Sequence, residues 1–147
     1  MAAHHVEAST TIANKPEAVM RYIADVRNRP LYLAPLKAVT DIQGDPAGAT
    51  ATWKWVWVAL GMEFQGTGKC LKYDPGKLYS FETKGGISST WTYTVAPEGA
   101  GTRLNIRVEY DVPERAKARG SEANAADAMK KGEAERVLQN LKVILDR

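Results

Sequence analysis

Alternation of apolar and polar positions dominates the middle of the chain. From Thr52 to Val58, Trp53, Trp55 and Trp57 share one face of a strand, and Thr52, Lys54, Val56 and Val58 share the other. A turn at Leu60-Gly61 sends the chain back through Met62 to Tyr73. Pairing Ala59 with Met62 sets Trp57 opposite Phe64, Trp55 opposite Gly66 and Trp53 opposite Gly68. Glycine inside a strand marks a bend or a close approach, so indoles facing glycines predict a curved sheet that encloses space. The alternative is that the tryptophans simply fill a core.

The flanking segments obey the same two periods. Val6 to Ile12 alternates as a half-buried strand, with His4 and His5 before it at a chain end expected to fray or to be a remnant of cloning. Asn14-Lys15-Pro16-Glu17 reads as a helix start, Asn14 capping, and Val19, Met20, Ile23 and Val26 supply its stripe. Asn28-Arg29-Pro30 interrupts that stripe, and a second short helix is expected over Leu31 to Leu36. Strands follow over Val39–Gln43, Leu78–Thr83, Ser88–Val95 and Arg103–Val112, separated by Gly44–Gly48, Asp74–Lys77, Gly85-Gly86 and Pro97–Gly101.

Pairing can be carried from strand to strand. A four-residue turn after Tyr73 places Phe81 beside Cys70. An odd-length loop through Gly85-Gly86 aligns Phe81 with Trp91 and Tyr79 with Tyr93. Setting Val95 against Leu104 then brings Trp91 to Val108, Tyr93 to Ile106 and Ser89 to Tyr110. The opposite face collects Lys69, Ser80, Glu82, Thr92, Thr94, Arg103, Asn105, Arg107 and Glu109, polar as a solvent face should be. Pro113 to Asn124 lacks apolar periodicity and reads as a connection. Ser121 can cap a final helix running to about Ile144, with a stripe of Ala126, Met129 or Lys130, Val137, Leu138, Leu141, Ile144 and Leu145.

Composition narrows the classes of function. At 147 residues the chain is expected to be one domain, 1–147, and 44% hydrophobic with 25% charged residues is ordinary for a globular protein. A formal net charge of +3 without a dense basic run argues against nucleic-acid binding. The single cysteine, Cys70, excludes an internal disulfide and suits a buried strand position. No apolar run approaches the ~20 residues that span a bilayer, and no apolar leader is visible, so membrane insertion is not expected and a cytoplasmic location is.

Strand, two short helices, a run of antiparallel strands and a long final helix is the order of the helix-grip fold. The segments Val19–Val26, Asp74-Pro75-Gly76-Lys77-Leu78 and Gly101-Thr102-Arg103-Leu104 resemble the polyketide cyclase/dehydrase branch of the START/Bet v 1-like (SRPBCC) superfamily. The resemblance implies an α+β fold, a seven-stranded antiparallel sheet curved around the C-terminal helix, with an apolar cavity between them. It also implies ligands such as lipids, sterols or polyketides, in a monomer or homodimer. It transfers no catalytic set.

The residues themselves set the chemistry expected in that cavity. Thr10, Tyr79, Thr83, Ser89, Tyr93 and Tyr110 face inward without a histidine or strand carboxylate, which argues against a Ser/His/Asp arrangement. Asp25, Asp127 and Glu133 are the carboxylates that helices could contribute, each expected to be solvated. Neither a cofactor nor a metal is expected, and Gly66-Thr67-Gly68 lacks the context of a phosphate loop. The expected ligand wall is Trp53, Trp55, Trp57, Phe64, Phe81, Trp91, Tyr93, Ile106, Val108 and Tyr110, holding a hydrophobic, aromatic or polycyclic small molecule as a carrier or sensor would. The alternative is a cyclase or dehydratase that uses the cavity as a template.

Overall fold

A computed structural model describes residues 4–33, 36–45, 47–59, 61–85, 88–110 and 121–146. The strands are β1 (His4–Ile12), β2 (Leu36–Gln43), β3 (Thr52–Ala59), β4 (Met62–Asp74), β5 (Leu78–Lys84), β6 (Ser89–Glu98) and β7 (Gly101–Tyr110). They form one antiparallel sheet in the order β1-β7-β6-β5-β4-β3-β2. Two helices, α1 (Pro16–Ala24) and the single turn α2 (Arg29–Tyr32), follow β1, and α3 (Ser121–Leu145) closes the chain. Every β3–β4 pair expected from alternation is present, Trp57 with Phe64, Trp55 with Gly66 and Trp53 with Gly68. The pairs across β5, β6 and β7 match as well.

At the β4–β5 turn the register reaches the expected result by another route. Asp74 pairs with Leu78, one residue tighter than a four-residue turn allows, and a bulge between Cys70 and Lys72 restores Cys70 opposite Phe81. Leu71, at that bulge, is left 47% exposed. Ser80 departs from the expected solvent face, because it is buried and shares a 3.1 Å hydrogen bond with Thr92.

Pro16 at the first turn and Glu17 beside it start α1, whose Val19, Met20, Ile23 and Ala24 are buried. Asn14 is not its cap; its Oδ1 accepts from Lys15 N, and its Nδ2 donates to Leu145 O at 3.0 Å, tying α1 to the end of α3. The second helix is earlier than expected. Pro30 does not interrupt but initiates, so α2 covers Arg29–Tyr32, and Leu36 already belongs to β2. His4 and His5 are not frayed. They pair with Tyr110 and Glu109, and the His4 ring lies 5.9 Å from that of Tyr110. Val112 and most of the connection from Pro113 lie outside the described residues.

Helix α3 lies along β1 and β7, with Ala134, Val137, Leu138, Leu141 and Leu145 buried beneath it, while Met129 is exposed. Ser121, Ala126 and Asp127 are among the side chains outside the description. Among the described residues no helix is long and apolar enough to cross a membrane.

Candidate functional site

The β3–β4 glycines exist because indoles lie on them. A Cβ at Gly68 would fall 2.3 Å from the Trp53 ring, and one at Gly66 would fall 2.1 Å from Trp55. Both rings therefore lie across the neighbouring strand, and Trp55 Nε1 donates to Thr67 O at 3.0 Å. Trp53, Phe81, Trp91, Tyr93, Ile106, Val108 and Tyr110 are at most 5% exposed. Their rings sit side by side across the strands, with centroids 5.8 Å apart for Trp53 and Phe81 and 6.3 Å for Phe81 and Trp91. Trp55 and Trp57 are half-buried, and Phe64, near the hairpin end, is 42% exposed.

Onto this wall projects a side chain that the sequence pattern did not single out. Arg29 is only 3% exposed. Its guanidinium carbon stands 3.9 Å from the Phe81 ring centroid and 5.0 Å from that of Trp53. Nη2 donates to Tyr79 Oη at 3.2 Å, whereas Nε and Nη1, both buried, have no hydrogen-bond partner among the described residues. A buried polar group without a partner forfeits about 1–3 kcal/mol, more when charged.

Local chemistry fixes the arginine in place. Asp25 Oδ1 accepts from Arg27 N, shaping the single 3-10 turn Val26–Asn28 that precedes α2. Asn28 Nδ2 donates to Tyr22 O at 3.1 Å. On the far side of the turn, Asn140 Nδ2 of α3 donates to Tyr32 O at 2.9 Å, and the Tyr32 hydroxyl reaches Ile23 O at 3.4 Å. The turn carrying Arg29 is thus pinned at both ends.

Electrostatics around the guanidinium are those of phenols rather than carboxylates. Burial opposes its charge, but the oxygens of Tyr32, Tyr79 and Tyr93 outweigh that and hold its pKa above the ordinary arginine range. Burial pushes the Tyr79 phenol up to about 12 while Arg29 pulls the other way. Burial also carries Tyr93 well above its usual value. All three phenols are therefore neutral hydrogen-bonding groups at physiological pH.

Of the three helix carboxylates, Asp25 caps its turn and pairs with Arg27 at 2.7 Å. Its pKa is lowered, first by that side-chain hydrogen bond. Glu133 reverses the expectation of solvation, being 6% exposed on the inner face of α3 with Lys130 Nζ 3.4 Å away. Two surface depressions are found among the described residues, the first of them reaching the wall at Trp53 and Gly68. One of about 550 Å³ opens among Asp41, Lys54, Lys69, Glu82 and Lys84. Another of about 450 Å³ runs between β1 and α3 among Glu7, Ser9, Lys131 and Gln139. Neither is lined by Arg29.

The arrangement offers an aromatic platform, neutral phenols and one under-used cation. Comparison with known proteins bears on what such a platform serves. The sequence profile of a family described as polyketide cyclase / dehydrase and lipid transport matches residues 3–145. No curated protein matches the chain in sequence. Among solved structures, TTHA0849 from Thermus thermophilus superimposes with a TM-score of 0.80 at 22% identity, covering 97% of both chains. The ginseng major latex-like protein 151 from Panax ginseng gives 0.72 at 11% identity, also with 97% of each chain covered. The Zhui aromatase/cyclase from Streptomyces sp. R1128 gives 0.71 at 14% identity, covering 95% of this chain and 94% of that one. At these identities the structural likeness establishes the helix-grip, Bet v 1-like fold alone.

Proposed function

The chain belongs to the polyketide cyclase / dehydrase and lipid transport family, and on that footing we propose that it is a carrier or sensor that binds a hydrophobic, aromatic or polycyclic small molecule against the inner face of its sheet. One observation carries the reading: Arg29 lies buried on an aromatic wall, with Nε and Nη1 unpartnered among the described residues. A ligand with a flat apolar body and an oxygen acceptor would stack on the rings and complete those hydrogen bonds. The wall comprises Trp53, Trp55, Trp57, Phe64, Phe81, Trp91, Tyr93, Ile106, Val108 and Tyr110, joined now by Arg29 and Tyr79. Since the deep wall residues are at most 5% exposed, entry requires the surrounding elements to open. The half-buried Trp55 and Trp57 and the exposed Phe64 mark the hairpin end as the side that opens. The protein works in the cytoplasm, as a monomer or homodimer.

A second reading, a cyclase or dehydratase, draws support from the Arg29–Tyr79 contact, since a guanidinium can hold the enolate that a phenol protonates. Magnitude favours the first reading. A general acid works best with a pKa near the operating pH, and a phenol at about 12 is a poor donor there. Tryptophan fluorescence titrated with polycyclic aromatic compounds tests binding. Saturable quenching is expected, and no change with any of them would reject the proposal. Incubation with aromatic polyketide precursors tests turnover, for which no product is expected.

A further inference from the structure

We infer that the ligand bound at this site is an anion, an aromatic or polycyclic carboxylate whose two oxygens are held by Arg29; the inference rests on the proposed binding function and adds the charge of what is bound. A guanidinium carries five N–H donors in a planar fork; here Nη2 donates to the neutral phenol of Tyr79, Tyr32 adds a second neutral phenol nearby, and among the described residues Nε and Nη1 meet no acceptor in hydrogen-bonding geometry. Nε and Nη1 flank Nη2, so each edge of the fork has a donor without an acceptor among the described residues. An edge of this kind matches a carboxylate with two parallel hydrogen bonds.

Charge separates a carboxylate from a neutral carbonyl. Among the described residues no carboxylate forms an ion pair with Arg29: Asp25 is held by Arg27 at 2.7 Å, and Glu133 lies beside Lys130 at 3.4 Å. The Phe81 and Trp53 rings stabilise a cation through their faces but carry no net charge. A neutral ligand would fill the hydrogen bonds and leave a desolvated positive charge uncompensated. A carboxylate fills the bonds and neutralises the charge together. With Phe81 stacked against the guanidinium, the anion approaches in the plane of the fork, and its aromatic body extends along the ring-lined wall.

The test compares 2-naphthoate with 2-naphthamide, which share shape and ring area and differ in charge. Both are titrated calorimetrically at pH 7 into the wild-type protein, Arg29→Met and Arg29→Lys, with the fold of each variant verified by its melting transition. The expected result is at least about tenfold tighter binding of the naphthoate by the wild type, as for a charge-assisted pair. That preference should vanish in Arg29→Met and persist in part in Arg29→Lys, which keeps the charge without the fork. Equal or tighter binding of the amide by the wild type overturns the inference and leaves the proposed binding function standing. A preference that survives in Arg29→Met overturns it too, by placing the anion elsewhere. Binding of neither compound removes the proposed function and this inference together.

Discussion

Replacing Arg29 by methionine should make the unliganded protein more stable, which is an unusual expectation for a residue 3% exposed. The unpartnered Nε and Nη1 each forfeit about 1–3 kcal/mol in the folded state. Against this, the cation contacts with Phe81 and Trp53 return about 1–2 kcal/mol apiece for a desolvated cation. The 3.2 Å bond to Tyr79 returns about 1 kcal/mol more. The native terms nearly cancel. Methionine, of similar length and flexible enough to follow the same path, then adds about 1.5–3 kcal/mol of apolar burial, less about 1 kcal/mol for the Tyr79 hydroxyl that loses its partner. The net gain is about 0.5–2 kcal/mol, or about 1–8 °C in melting temperature for a domain of this size. Thermal unfolding followed by circular dichroism measures it. A melting temperature several degrees below wild type would refute the reasoning, because it would make Arg29 a structural anchor rather than a group held ready for a ligand.

Other expectations follow from single contacts. Gly68→Ala would place a Cβ 2.3 Å from the Trp53 ring; the resulting displacement should cost about 1–3 kcal/mol in urea unfolding, with a changed tryptophan emission. Lys130→Met removes the cation beside the buried Glu133 and should cost about 3 kcal/mol, whereas the double variant Lys130→Met with Glu133→Gln, which leaves neither charge to bury, should cost clearly less. Tyr79 binds its proton more tightly folded, at about 12, than unfolded, near 10. Above pH 10 the folded state therefore retains more protons than the unfolded one, so its contribution to stability is complete below pH 10 and lost as pH rises toward 12. Tyr79→Phe should flatten that loss, and absorbance at 295 nm should show phenols titrating later than free tyrosine.

The register of the sheet was legible because each strand alternates with a period of two and each partner supplies a matching apolar face. Trp57 with Phe64 and Tyr93 with Ile106 follow from that pattern once the turn lets the two apolar faces meet, as a two- or a four-residue loop does between β3 and β4. The turn after Tyr73 illustrates the tolerance, since a tighter turn and a bulge offset each other before Cys70. The buried cation was hidden by the habits of its residue type. An arginine next to proline reads as a solvated break between helices, and buried unpaired arginines are rare. One signal was present: Val19, Ile23 and Val26 step by four and three, and a further step of three lands on Arg29. Glu133 was masked in the same way, although it stands four residues before the buried Val137. His4 was misjudged from its nearness to a chain end, where the sheet in fact holds it against Tyr110.

The most direct test of the site is the Arg29 side-chain resonance itself. In protein labelled with ¹⁵N at arginine Nε, the Arg29 Nε–H has no acceptor among the described residues to mask a new bond. Titration with 2-naphthoate should shift its proton downfield and slow its exchange with water, alongside shifts of the Trp53 indole. Saturating 2-naphthoate that moves other signals but leaves the Arg29 Nε–H unchanged would contradict the account.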